Sequence, residues 1–268
     1  MTREKANEAL VNAMRKRGVP AIGKATRLLV NAHRTRTPAS TAGIDLHKES
    51  EAYEVQDRVF AELWPGARAT AWKAGGPSDK VEPTASPIAP QMVLRSPAHV
   101  AAASMNMIGV EAEVAFRFAV DLPPRTRPYS ERSIAAALGE VLVVIELCDT
   151  RLTDWQGTPG LWKLADFQNN GGLVVGSGTK DWQKIDFLKQ EVEFRVGARV
   201  VKAKGSHSYG NPARLLPWLA QHCAKRGLGL RAGDLVTTGA WTGLEIARAG
   251  DEVTARFPGI GAASVRIK

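Results

Sequence analysis

From residue 110 to the C-terminus the chain reads as short strands separated by turns, with almost no strand-sized run leading into a helix-sized one. Residues 110–120 alternate apolar and polar side chains, and 141–147 form a nearly continuous apolar run. Residues 173–175, 192–196, 199–203, 235–238 and 252–257 read as five more strands, several joined by glycine-containing turns. Two helical patterns interrupt them, 131–138 and 212–225, the second opened by Asn211 as N-cap with Pro212 at its first position. A doubly wound parallel sheet needs strand and helix in alternation, and that rhythm is missing. The expected fold class is α+β: a β-rich core of a folded-over mixed sheet or barrel, with a smaller helical N-terminal portion.

That N-terminal portion is read over residues 1–66 and the β-rich core over 67–268. Residues 2–17 and 20–36 carry apolar side chains at helical spacing, separated by Gly18 and Pro20. Residues 37–41 are a linker, and 48–63 an amphipathic helix with Tyr53, Val55, Val59, Phe60 and Leu63 on its apolar side, closed by Pro65-Gly66. Residues 69–73 are a short strand. The proline- and serine-rich stretch 82–97 reads as a long loop, of the kind that forms lids beside active sites.

Charge narrows the partners. Of the net +9, seven lie in residues 1–37, where nine basic residues face only Glu4 and Glu8. No Phe, Tyr or Trp is interleaved with them to stack on bases, and no recognition-helix or zinc-finger spacing is present, so nucleic acid is not the expected partner. No apolar run approaches the length of a membrane span, and the first residues lack a secretory signal, so a soluble cytoplasmic protein is expected. Two cysteines, Cys148 and Cys223, make neither a disulfide framework nor a thiolate site. Any metal is expected to be held by oxygen.

Gly109-Val110-Glu111-Ala112-Glu113-Val114 places Glu111 and Glu113 on one face of a strand, because residues two apart project together. Their mutual repulsion is costly unless a cation sits between them or the site is wet; a solvent-facing acidic pair is the plainer alternative. Glu146 emerges from the apolar run 141–147, where a lone carboxylate would be expensive. Glu111, Glu113 and Glu146 together offer three hard oxygen donors suited to Mg²⁺ or Mn²⁺. Asp149 is an alternative third ligand or a supporting partner, and Arg151 a neutralising group for either. The five histidines do not fall at metal spacing within these clusters, which disfavours zinc.

Two segments set glycine beside polar groups: Asp166-Phe167-Gln168-Asn169-Asn170-Gly171-Gly172, and Gly233 to Gly243 through Thr237-Thr238-Gly239-Ala240-Trp241. Both read as ordinary turns, or as places where backbone N–H groups approach a carboxylate closely. Asn170, Thr238 and Trp241 are the candidate substrate-binding residues. Neither segment has the Gly-Lys-Ser/Thr of a phosphate loop, and Pro258-Gly259-Ile260-Gly261 lacks the helix of a dinucleotide fingerprint.

The order of these features, from Trp72-Lys73 through Val110-Glu111-Ala112-Glu113-Val114-Ala115-Phe116 and Ile145-Glu146-Leu147-Cys148-Asp149-Thr150-Arg151-Leu152-Thr153-Asp154-Trp155 to Gly233-Asp234-Leu235-Val236-Thr237-Thr238-Gly239 and Gly250-Asp251-Glu252-Val253, resembles the 2-keto-4-pentenoate hydratase and 4-oxalocrotonate decarboxylase branch of the fumarylacetoacetate hydrolase superfamily. The resemblance runs from about residue 48 to the C-terminus. It implies a folded-over β-rich core, a divalent-metal site, a homo-oligomer and substrates of the 2-oxo acid or 2-hydroxydienoate type. It matches Glu111, Glu113 and Glu146 to the metal carboxylates and Lys73 to the catalytic lysine beside the substrate, where it could hold the substrate's carboxylate, or shuttle a proton if burial and the metal lower its pKa. The chain departs from the pattern after the lysine, where Ala74-Gly75-Gly76-Pro77-Ser78 stands, and at Ser86-Pro87-Ile88-Ala89-Pro90, which carries no acid. The reaction implied is a metal-dependent hydratase of aromatic-compound catabolism. The alternatives are a decarboxylase, a carbon–carbon hydrolase of acylpyruvates and a catalytically impaired interaction subunit.

Overall fold

The computed structural model describes residues 21–268; the helical pattern expected over 2–17 lies outside them. The described helices are α1 (21–35), α2 (Glu49–Leu63), α3 (Glu131–Ala137), α4 (Gly160–Ala165) and α5 (Leu216–Lys225). Residues 21–67 with 150–169 cluster as one compact unit and 68–149 with 170–268 as another, so the helical unit also takes in a segment that the sequence groups with the strands.

In the helical unit, α2 begins with Glu49 and Glu51, favourable beside the positive end of the helix dipole, and Glu51 accepts the backbone N–H of His47 at 2.8 Å. Ala52, Val55 and Val59 recur at helical spacing and are fully buried with Leu29, Trp162, Leu164 and Phe167. Gln56 lies on the same buried stripe and donates to the Leu164 carbonyl at 2.8 Å. Segment 150–169 is tied by Arg151, whose Nε reaches Asp166 Oδ1 at 2.6 Å and whose Nη2 donates to the Asp166 carbonyl. Arg151 therefore pairs with the fully buried Asp166.

The other unit is made of strands. They are β1 (Ala71–Gly75), β2 (Thr84–Ile88), β3 (Val93–Arg95), β4 (Ala98–Val100), β5 (Gly109–Phe118), β6 (Leu138–Cys148), β7 (Asn170–Thr179), β8 (Glu191–Val196), β9 (Arg199–Lys204), β10 (Leu235–Thr237), β11 (Glu245–Ile246), β12 (Glu252–Phe257) and β13 (Gly261–Ile267). One sheet runs β2-β1-β10-β5-β6-β7-β3 with β11 also on β5; the second runs β4-β13-β12-β8-β9. Pairing is mostly antiparallel, but β1/β10, β3/β7 and β4/β13 are parallel, so the sheets are mixed as expected.

The two sheets fold over onto each other where β13 packs on β6 and β7. Close approach there requires glycine: a Cβ on Gly176 would stand 2.1 Å from the Ala262 carbonyl oxygen. Ser177 Oγ accepts the Ala262 N–H at 2.9 Å and Ser96 Oγ accepts the Ser264 N–H at 2.8 Å, so side-chain hydroxyls stitch the seam.

Segment 82–97 is not the loop its composition suggests. It contains β2 and β3, and Ala85, Ser86, Ile88 and Ala89 are buried. Proline is tolerated because β2 is the outermost strand of its sheet, where a missing N–H interrupts no further ladder. Strand β13 was also unread, although Ala263, Val265 and Ile267 alternate with Ser264 and Arg266.

Candidate active site

Strand register brings the polar residues together. Lys73 on β1 pairs with Ser86 on β2 and with Thr237 on β10, and Thr237 pairs with Ala115 on β5. Glu111 stands directly opposite Glu146 across β5 and β6. Paired residues share a sheet face, as do residues two apart on one strand. Ser86, Lys73, Thr237, Glu113, Glu111, Glu146 and Cys148 therefore project to the same side. Val110, Ala112, Val114 and Phe116 take the other side of β5, where Phe116 meets the rings of Trp182 and Phe187.

Glu113 and Glu146 are fully buried. Glu146 Oε1 accepts two hydrogen bonds, from Lys73 Nζ at 2.8 Å and from Asn170 Nδ2 at 2.8 Å. Glu113 Oε2 accepts from the Thr237 hydroxyl and from the Gly239 backbone N–H at 2.8 Å. Gly239 has φ +106, and this left-handed backbone is one a side chain would disfavour. The second oxygen of each carboxylate, Glu113 Oε1 and Glu146 Oε2, is buried without a hydrogen-bond partner among the described residues. Glu111, less buried, has a carboxylate oxygen within 4.8 Å of a Glu146 oxygen and of the Cys148 sulfur.

Three carboxylates face one ammonium, and the imbalance shifts Glu113, Glu111 and Lys73. Burial, then the Glu146 and Glu111 charges, push the Glu113 carboxyl well above the ordinary range. Burial and Glu146 raise Glu111 as well, partly offset by Lys73. For Lys73, burial favours the neutral amine, but the combined attraction of Glu146, Cys148, Glu111 and Glu113 outweighs it and raises its pKa. Next to these carboxylates the side chain is held as an ammonium.

Of the residues singled out in the sequence, Lys73, Glu111, Glu113, Glu146 and Asn170 meet at this face. The Thr238 hydroxyl is committed to the Val114 carbonyl at 2.8 Å, and the Thr238 carbonyl lies 2.8 Å from His207 Nε2. The Trp241 ring packs among Phe187, His207 and Phe257. Asp149 Oδ1 accepts the N–H groups of Asn106 and Met107, bracketing the approach to β5. Thr237, the Gly239 N–H and Cys148 were missed. Cys148 could have been found by parity, since it lies two residues beyond Glu146 on the same strand.

The description Fumarylacetoacetate (FAA) hydrolase C-terminal matches residues 68–268. The chain is 29% identical over 160 residues to a 2-keto-4-pentenoate hydratase of Paraburkholderia phymatum, covering 59% of this chain and 60% of that protein. It is also 29% identical over 178 residues to a 2-hydroxyhexa-2,4-dienoate hydratase of Comamonas testosteroni, covering 62% and 64%. The chain thus matches about 60% of the length of such relatives. A 4-oxalocrotonate decarboxylase from Pseudomonas putida G7, complexed with magnesium and adipate, superposes with a TM-score of 0.81 at 21% identity over 92% of this chain and 97% of that one. With a family match extending across the whole strand-built unit that holds the carboxylates and the lysine, the chain belongs to the fumarylacetoacetate hydrolase family.

Proposed function

We propose that this chain is a divalent-metal-dependent lyase acting on 2-hydroxydienoates or related 2-oxo acids, a hydratase of the 2-keto-4-pentenoate type. One observation carries the reading: two fully buried carboxylates, Glu113 and Glu146, each keep an oxygen without a hydrogen-bond partner among the described residues, on a face they share with Glu111 and Lys73. A buried acidic cluster of that charge calls for a cation of higher valence than one ammonium. Glu111, Glu113 and Glu146 would hold Mg²⁺ or Mn²⁺, and the names of the hydratase relatives support the substrate class. When bound, such an ion supplies Lewis acidity toward a 2-oxo carboxylate.

The remaining work falls to the chain itself. Thr237 and the Gly239 N–H fix one oxygen of Glu113, and Asn170 fixes one of Glu146, so each carboxylate has its other oxygen to offer. Lys73, held as an ammonium by Glu146, can exchange that contact for the substrate's carboxylate or give a proton to the reacting skeleton. Homo-oligomeric assembly and a cytoplasmic location belong to the same proposal; no described helix is long and apolar enough to cross a membrane.

A decarboxylase is the second reading, favoured by β2. Its sequence Thr84-Ala85-Ser86-Pro87-Ile88 sets Ser86, not an acid, beside Lys73, and addition of water needs one more proton-handling group than loss of CO₂ does. Incubating the protein with Mg²⁺ and a panel of 2-hydroxydienoates and 2-oxo diacids separates the readings. Loss of dienol absorbance without CO₂ supports the hydratase, and CO₂ release supports the decarboxylase. Cleavage of acylpyruvates, or no reaction with any substrate, overturns the lyase reading.

A further inference from the structure

Cys148 ends β6 two residues beyond Glu146, on the same face, and its partner across the ladder is Gly109 of β5. A Cβ on Gly109 would stand 2.9 Å from Cys148 Cβ, so the glycine is what lets the cysteine lie close against β5. The thiol is buried, and its Sγ and a carboxylate oxygen from each of Glu111 and Glu146 all lie within 4.8 Å of one another. The unpartnered Glu146 Oε2 belongs to this same fully buried side chain. Sulfur and two carboxylates therefore converge at one end of the acidic face, where sequence led us to expect oxygen donors alone.

We infer that Cys148 is a metal-contacting residue which, with Glu111 and Glu146, opens this site to thiophilic divalent ions such as Co²⁺, Zn²⁺ and Cd²⁺ in addition to Mg²⁺. The inference rests on the divalent-metal reading above and deepens it by assigning metal selectivity. Thiolate is a soft donor that strengthens the hold on these ions and contributes little toward Mg²⁺. On binding, the S–H bond breaks, the sulfur keeps the electron pair it offers to the ion, and the proton leaves to solvent. Cys223 lies on α5 and takes no part.

The test uses the full chain with Co²⁺ alone, followed by absorbance. The wild type should show a near-ultraviolet thiolate-to-cobalt charge-transfer band that Cys148→Ser and Cys148→Ala lack. In calorimetric titrations Cys148→Ala should weaken Cd²⁺ binding at least about tenfold and Mg²⁺ binding less than about twofold. Cobalt bound without a sulfur band, or an unchanged ratio of Cd²⁺ to Mg²⁺ affinity, overturns the role of Cys148 and leaves the carboxylate site standing. Failure of the wild type to bind either Co²⁺ or Mg²⁺ overturns both. Near-ultraviolet circular dichroism confirms that the variants are folded, and the wild-type band needs no variant.

Discussion

Glu111 and Glu146 face each other as a directly opposed pair across β5 and β6, with Lys73 Nζ 2.8 Å from Glu146. Like charges directly opposite on a sheet are destabilising, so this rung is built at a cost that a bound cation would offset.

The first prediction concerns Glu113, the other fully buried carboxylate of the cluster. Glu113→Gln should abolish Mg²⁺ binding, because it removes a charged donor whose Oε1 has no hydrogen-bond partner among the described residues. Thr237→Val, which removes only the hydroxyl held to Glu113, should weaken binding by about 10–100-fold, the usual scale for a residue that orients a metal ligand. Isothermal calorimetry on the three proteins decides it; equal Mg²⁺ affinities would remove Glu113 from the proposed ligand set.

Lys73→Met should leave Mg²⁺ affinity undiminished, since it removes a positive charge from a site proposed to bind one. Turnover should fall at least about a hundredfold, as for loss of an acid–base group. Exchange of substrate protons in D₂O reports the same role without relying on overall rate. Wild-type exchange and turnover in the variant would make Lys73 a purely structural partner of Glu146.

Acid sensitivity should come from His33 in the helical unit. Burial, and then the Arg151 charge, lower its pKa from 6.5 to about 2. The unfolded chain therefore binds a proton that the folded chain refuses between those values. The stabilisation is complete above 6.5 and is lost as pH falls toward about 2, at about 1.4 kcal/mol per pH unit. Between pH 7 and pH 5 the wild type should lose about 2 kcal/mol more than His33→Gln in urea denaturation. Parallel losses in both proteins would show that His33 does not govern this range.

Gly176→Ala should destabilise the chain by about 2 kcal/mol or more, because the new methyl has no room beside the Ala262 carbonyl and must part β7 from β13. Gly160→Ala is the control: a Cβ there meets nothing within 4 Å, and alanine favours the helix that Gly160 begins. Thermal melts that rank the two alike would mean the seam is not tight.

Local pattern alone carried much of this protein. The periodicities of α2, β5 and β6, the Asn211 cap before α5 and the same-face parity of Glu111 and Glu113 all arise from spacings of a few residues, so they were legible from sequence. The apolar run around Glu146 marked that carboxylate as well, and the family order of motifs extended the reach to Lys73. What lay beyond it was decided by pairing partners far apart in the chain. Residues 84–88 become strand because β1 offers an edge on which Pro87 is harmless, and segment 150–169 joins the helical unit through hydrogen bonds from Gln56 to the Leu164 carbonyl and from Trp162 to the Ile44 carbonyl. Register alone set Thr237 beside Lys73 and Cys148 across from Gly109. The sign of the Lys73 pKa shift was likewise a tertiary result: burial by itself predicts a neutral amine, and only the carboxylates that β5 and β6 bring to the same face reverse it.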